Sequence, residues 1–429
     1  MQDDVFRSSD PAEYSAAEPL ELSWLAPIGL FGLSLYNFVL RILTLGMYHF
    51  WGKTEVRKRI WSSVRINGEP LQYMGTGREL FIGFLIVFAL IILPVMLLTF
   101  GAVFLFGPES TLMRVFQVSL YAGFVFLTGI AIYRAQRYRL NRTRWRGIQA
   151  ALTGSSLGYG WTYFWTLLAM PLTLGWISPW RATRLQKTLI NDMQFGNREF
   201  RFSGRSGPLY KSFALFWVLS ALLALATFGA IGSAMSDLVF ISSGQGAPQL
   251  PPDKILEIVA LVYGGIFVAG MIYMVFSAWY RAAMTRHFAL HTHFDGLTFK
   301  SQVKARGLLW ITITNYLLLF IGAIIATLVT VAIGIFMFSA LAGAGIDPFG
   351  INSGDDPALV VQRASGIVTF VFLLSLGLFL PITQARTSGY LIGKLSMDGT
   401  VDLAQITAGA AQDIKRGEGL AQAFDIDAL

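Results

Sequence analysis

Thr44-Leu45-Gly46, followed by Trp51 and Gly75, is a pattern that returns 129 positions later as Thr173-Leu174-Gly175, Trp180 and Gly204. In both copies a basic stretch follows the Trp, and a short strand-like stretch precedes the last Gly. A pattern repeated at one offset implies a chain built from internal repeats, and repeats bear on the fold class before any single motif does.

Composition sets the surroundings. Of 429 residues 54% are hydrophobic and 14% charged, with 34 Phe and 11 Trp. Several apolar runs exceed the roughly 18 residues that read as a bilayer span. The chain is expected to be mainly α, a polytopic helical membrane protein in contact with the lipid bilayer. Having no Cys, it can form no disulfide, Cys-ligated zinc site, iron-sulfur cluster or thiol nucleophile. Lys and Arg exceed Asp and Glu by 33 to 25. That excess lies in loops between apolar runs, where it sets topology, so no nucleic-acid partner is implied.

Beyond Trp51, Lys53, Arg57, Lys58 and Arg59 alternate with Val56, Ile60 and Trp61, the pattern of a basic helix at headgroup level or of ordinary positive residues flanking a span. Val64 to Tyr73 then alternates apolar and polar residues around Asn67-Gly68, whose tolerance of positive φ suits a hairpin turn. The same punctuation returns at Arg146-Gly147, Gly196-Asn197, Asp295-Gly296 and Asp398-Gly399. Five short hairpins are expected, and because isolated hairpins are marginal in water they should assemble into a shared sheet.

Three pairs of apolar runs lie between these inserts: 80–106 with 115–133, 212–235 with 258–280, and 308–339 with 366–385. Each is long enough to cross about 30 Å of hydrocarbon, which makes six full spans. The loops within each pair carry few cations (Arg114, Lys254, Arg363), whereas the second insert alone holds Arg134, Arg137, Arg139, Arg142, Arg144 and Arg146. The positive-inside rule therefore places the inserts and both termini in the cytoplasm. The expected organisation is a flexible tail over 1–20, a membrane domain over 21–404 with inserts near 52–78, 134–158, 181–211, 281–306 and 386–404, and a C-terminal tail over 405–429.

Segments 27–50 and 160–179 are out of step with this topology. If either crossed fully, basic inserts on its two sides would lie on opposite faces of the membrane. A re-entrant or interfacial broken helix removes the conflict; a full span with local breaks is the alternative. Arg41 is costly at mid-membrane, and Pro171 with Gly175 interrupts the second copy. Asn37, Arg41, Thr44, Gly46, Trp51, Thr173, Gly175 and Trp180 are the candidate residues of this motif.

Leu35 to Lys53, with Arg57, Asn67-Gly68 and Gly75-Thr76-Gly77, resembles the YjgN-like family of bacterial inner-membrane proteins, known chiefly as a domain of unknown function. The resemblance is specific through the first copy, recognisable over 160–210 and weaker from 280 onward. Thr166 stands where the offset would repeat Asn37, and Met170 where it would repeat Arg41. The resemblance implies a multi-pass inner-membrane location; it supplies no catalytic residue, cofactor or ligand.

Searches for chemistry narrow the function. No phosphate-binding glycine loop followed by Lys-Ser/Thr is present. His287, His291 and His293 form one cluster, but 287 and 291 share a helical face whereas 291 and 293 share a strand face, so a metal site there needs a helix-to-strand change. The six runs contain no Asp, Glu, Lys, Arg or His, which argues against carboxylate-based proton coupling. What is left at depth is Asn315, Ser/Thr hydroxyls and glycines such as Gly264, Gly265 and Gly270, which more often mean close helix packing than a pathway. No nucleophile-base pair or cofactor motif points to an enzyme. Two classes stay open: a transporter or channel-like protein for a small solute or lipid, and a membrane scaffold that binds anionic lipid or a protein partner, including a second copy of itself. For the second, Arg137, Arg139, Arg142 and Arg144 are the candidate headgroup contacts.

Overall fold

The computed structural model describes residues 18–242, 252–343 and 357–407. Most of both expected tails, 1–17 and 408–429, lies outside them. The described chain opens with β1 (Glu18–Pro19) and β2 (Leu22–Trp24), then α1 (Leu30–Leu43) and α2 (His49–Ser63). The hairpin β3 (Val64–Ile66), β4 (Glu69–Pro70) and β5 (Gln72–Tyr73) leads into α3 (Gly77–Val87) and α4 (Leu93–Phe106), joined by a π segment over Phe88–Ile92. Pro94 has no amide hydrogen to offer the preceding turn, which accounts for the widened helix there. The long helix α5 (Thr111–Asn141) returns to the hairpin β6 (Thr143–Trp145) and β7 (Ile148–Leu152).

The rest alternates in the same way: α6 (Ser156–Leu172) and α7 (Ser178–Asn191), β8 (Met193–Phe195) and β9 (Arg198–Phe202), α8 (Gly207–Ser242) and α9 (Pro252–Leu290), β10 (Thr292–Phe294) and β11 (Leu297–Ser301), then α10 (Ala305–Gly343) and α11 (Pro357–Ile392). β12 (Leu395–Asp398), β13 (Thr400–Val401) and a short 3-10 turn at Leu403–Gln405 end the described chain.

The strands pair antiparallel in an unbroken succession from β5 through β6, β7, β8, β9, β10 and β11 to β12. On one side β4, one residue before β5, pairs with β3, and β3 pairs with β2. On the other, β13, one residue beyond β12, pairs with β1, two residues before β2. The succession thus closes on itself. Counting β1/β2, β4/β5 and β12/β13 as single kinked strands, the thirteen segments make a ring of ten strands. Leu71 bridges β4 and β5 by donating its amide to the Val64 carbonyl at 2.9 Å, a length typical of a ladder bond.

The fifth expected hairpin needs correction. Asp398-Gly399 is a kink, with Gly399 at φ 113°, and the second strand of that pair comes from Glu18–Pro19 at the other end of the chain. A local Asp-Gly signal cannot distinguish a reversal from a bend when a distant strand is available to complete the pairing. Positive φ at Asn67, Gly68, Arg146, Gly147, Gly196, Asp295 and Gly296 bears out the other four turns.

Alternation within each strand turns one apolar set inward. Trp145, Phe294, Leu297, Val401 and Leu20 are buried there with Ile406, and Phe195, Phe200, Phe299 and Met397 pack around them. Phe200 and Phe294, opposite each other on β9 and β10, have ring centroids 4.5 Å apart. Gln194, Glu199, Arg201, His293 and Lys300 occupy the intervening positions.

Between successive strands hang pairs of helices. Among the described residues, five helical stretches are long and apolar enough to cross a membrane: Gly77–Phe106, Thr111–Asn141, Gly207–Ala230, Val259–Leu290 and Ala305–Phe336. At most 17% of any of these spans is buried within the protein, so their apolar side chains face outward, as lipid contact requires. The sixth expected run, 366–385, lies on helix α11 but is not one of these five among the described residues.

Candidate functional site

The two Thr-Leu-Gly turns have one geometry. Leu45 and Gly46 take φ 51° and 90°, and Leu174 and Gly175 take 48° and 80°. The amides of Gly46 and Gly175 reach back to the Arg41 and Met170 carbonyls, both at 2.7 Å. Thr44 Oγ1 donates to the Leu40 carbonyl at 2.7 Å and accepts from the Tyr48 amide at 2.9 Å; Thr173 repeats this with Ala169 and Ile177 at 2.9 and 3.4 Å. Threonine thus bridges the end of one helix and the start of the next, while glycine supplies the left-handed residue that reverses the chain. Both tips are exposed and apolar: Leu45 is 95% exposed, Leu172 86% and Leu174 74%.

The residues around the two turns differ. Asn37 is buried and donates from Nδ2 to the Gly52 carbonyl at 3.3 Å, tying α1 to α2, and Gly52 leaves room for it. Thr166 instead donates along its own helix, to Thr162 at 2.6 Å, while Arg181 lies over the Tyr163 ring at 4.6 Å. Trp51 stacks on Tyr48 and approaches Phe81, and Trp180 meets Trp165 at 5.4 Å. The Arg41 guanidinium reaches α11, where Gly377 has no side chain to obstruct it.

Helix α2, with five charged residues, begins at His49.

The candidate headgroup arginines divide. Arg137 donates to the Leu152 carbonyl at 2.9 Å and to that of Gly154, locking α5 onto the end of β7. Arg142 pairs with Glu79 at 2.8 Å, and Tyr138 donates to the other oxygen of the same carboxylate at 2.8 Å. Arg139 donates to Gln136 at 2.7 Å. Arg144 stands exposed on β6 between Gln72 and Gln149. Among the described residues, further cations exposed at the ring-facing ends of the long helices include Arg78, Arg134, Lys211, Arg281, Lys304, Arg306 and Arg386.

The three histidines do flank a helix-to-strand change, between Leu290 and Thr292. His287 Nε2 lies 2.8 Å from the Arg205 carbonyl, His291 Nδ1 2.8 Å from the His287 carbonyl, and His293 Nε2 3.2 Å from Ser203 Oγ. Among the described residues no three His, Asp or Glu side chains are grouped to hold a metal ion. Asn315 donates to Thr387 Oγ1 at 3.0 Å and joins α10 to α11.

The ring interior is a site that no local motif marks. A cavity of about 230 Å³ lies inside it, bounded by Leu20, Leu22, Trp145, Phe200, Leu403 and Ile406 among others. Its signal was present in the alternation of Leu20-Glu21-Leu22-Ser23-Trp24 and Val401-Asp402-Leu403.

A strand ring from which apolar helix pairs extend defines a polytopic membrane protein. The chain belongs to a family described as bacterial proteins of unknown function (DUF898), which matches residues 28–423. It is also 37% identical over 71 residues to a Salmonella typhimurium (strain LT2) protein called inner membrane protein YjgN. That similarity covers 17% of this chain and 18% of the relative's length. No solved structure matches the chain.

Proposed function

We propose that this protein is a bacterial inner-membrane scaffold: a cytoplasmic strand ring seated on anionic lipid by the exposed cations at its helix ends. The observation that carries the reading is the closed ring. Strands that hydrogen-bond around one closed path must lie on one side of a bilayer, so every helical excursion has to return to the side it left. Excursions α3–α5, α8–α9 and α10–α11 then cross twice, giving six spans. Excursions α1–α2 and α6–α7 re-enter, since the 14 residues of α1 and 17 of α6 measure about 21 and 26 Å against roughly 30 Å of hydrocarbon. The matched turn geometries support internal duplication of these excursions.

Arg78, Arg134, Lys211, Arg281, Lys304, Arg306 and Arg386 would then form a girdle at the inner headgroups. Arg144, further out on the ring, is available to a protein partner or a second copy. Transport of a small solute or lipid fits less well. It calls for polar groups facing an internal path, whereas the groove between α8 and α9 is bounded mainly by Leu223, Phe228, Ile266 and Ile272.

Two outcomes follow. In the cysteine-free chain, single cysteines replacing Ser23, Ser62, Ser155 and Ser206 should resist a membrane-impermeant thiol reagent outside intact cells, while one replacing Glu109 reacts. Labelling at 23 or 155 with protection at 62 and 206 would mean true crossings by α1 and α6. Each Lys or Arg at an anionic surface is worth about 1 kcal/mol. Replacing Arg78, Arg134, Arg281 and Arg306 together by Gln should therefore lower the preference for anionic over neutral lipid, read by lipid exchange between nanodiscs, by on the order of tenfold or more. An unchanged preference would remove the girdle from the account.

A further inference from the structure

We propose that the ring interior is a binding site for one uncharged hydrocarbon group, closed at its outer end by residues 402–407. Side chains just fill the interior of an eight-stranded barrel, and width grows with strand number. Ten strands leave the cavity of about 230 Å³. Protein interiors seldom keep voids larger than a water molecule, and an apolar void of about 150 Å³ stays dry and takes up benzene or xenon. The lining is leucine, isoleucine, methionine and aromatic rings; Thr143, the one hydroxyl there, accepts from Trp61 Nε1 at 2.8 Å and donates to the Arg139 carbonyl at 2.8 Å. Trp145 Nε1 is the one donor of the lining left without a hydrogen-bond partner, and no cation lines the cavity, so a carboxylate or charged headgroup would enter without a counter-charge, at a cost that selects against it. A hydrocarbon would recover the contacts that the empty space lacks.

The closure has its own construction. Leu403 and Ile406 point into the cavity lining, and the polar atoms around them grip the Gly196-Asn197 turn. Asn197 Oδ1 accepts from the Thr407 amide at 3.3 Å, Asn197 Nδ2 donates to the Gln405 carbonyl at 3.5 Å, and Arg198 donates to Gln405 Oε1 at 3.0 Å. Gly196 lies under the plug so closely that a Cβ there would meet the Thr407 carbonyl. These exposed bonds are few, whereas the ring is a continuous ladder, so the plug opens while the ring stays closed. The hydrocarbon comes either as a free small molecule past this plug or as the acyl tail of a membrane lipid.

The test uses the full chain in nanodiscs with hexafluorobenzene, observed by ¹⁹F NMR. A bound resonance should saturate at one equivalent per chain, apart from the signal of probe dissolved in lipid. Ala150 is buried against the cavity, and Ala150→Trp or the milder Ala150→Leu should abolish that resonance while circular dichroism stays unchanged. Asn197→Ala with Gln405→Ala should speed exchange roughly tenfold through loss of the tethers. A second arm uses nanodiscs whose lipid carries a fluorinated tail. A tail resonance that Ala150→Leu removes, with no bound hexafluorobenzene, supports the site with lipid as the source. If neither resonance appears, or if both persist in the folded Ala150 variants, the proposal is overturned.

Discussion

Everything in this molecule depends on one seam, where Glu18–Pro19 pairs with Val401–Thr400 while Leu22–Trp24 pairs with Ile66–Val64. Without it the strands would form an open sheet with two unpaired edges, and open edges recruit other chains. With it, backbone donors and acceptors are used around the ring, and the aromatic side chains on its inner face share one core. Asn67 reinforces the seam from the side: its Oδ1 accepts from the Glu21 amide at 2.7 Å, and its own amide donates to the Glu21 carbonyl at 2.8 Å. The residue that makes the first hairpin turn therefore also holds the strand that closes the ring.

Seen from the seam, the helices are excursions with fixed end points. Each leaves the ring from one strand and returns to the next, so the neighbours in the ring are consecutive in sequence except where the two ends meet. This order explains why α5 packs on α6, α8 on α9 and α10 on α11 with little need for a single central bundle. It also explains the half-buried arginines. Where α5 meets β7, the carbonyls of Leu152 and Gly154 leave the strand ladder and need donors, and the Arg137 fork supplies them.

Much of this was legible in the residues. Asn67-Gly68 and Asp295-Gly296 mark turns because few other pairs accept their φ values, and the spans follow from apolar run length. Thr44-Leu45-Gly46 and Thr173-Leu174-Gly175 declared a shared turn, which the matching hydrogen bonds realise. What local pattern could not carry was partner choice over distance. Residues 18–20 read as the end of a tail, since a strand two residues long has no periodicity to show. Asp398-Gly399 read as a reversal because the same dipeptide makes one at Asp295-Gly296. The arginines of 134–146 read as one charged surface, and only the packing of α5 separates Arg137 and Arg142, half-buried and hydrogen-bonded, from Arg134 and Arg144, left exposed.

The seam can be measured directly because the chain has no native cysteine. Opposed residues of an antiparallel pair have Cβ atoms about 4.5–5.5 Å apart, within reach of a disulfide after small adjustment. Pro19→Cys with Thr400→Cys spans one side of the N-terminal strand, and Ser23→Cys with Arg65→Cys spans the other. In a single chain carrying all four, mild oxidation followed by peptide mass spectrometry should find the 19–400 and 23–65 bridges in the same molecule. Formation of either bridge only at the expense of the other would mean that the N-terminal strand joins one edge at a time, and the ring would not be closed.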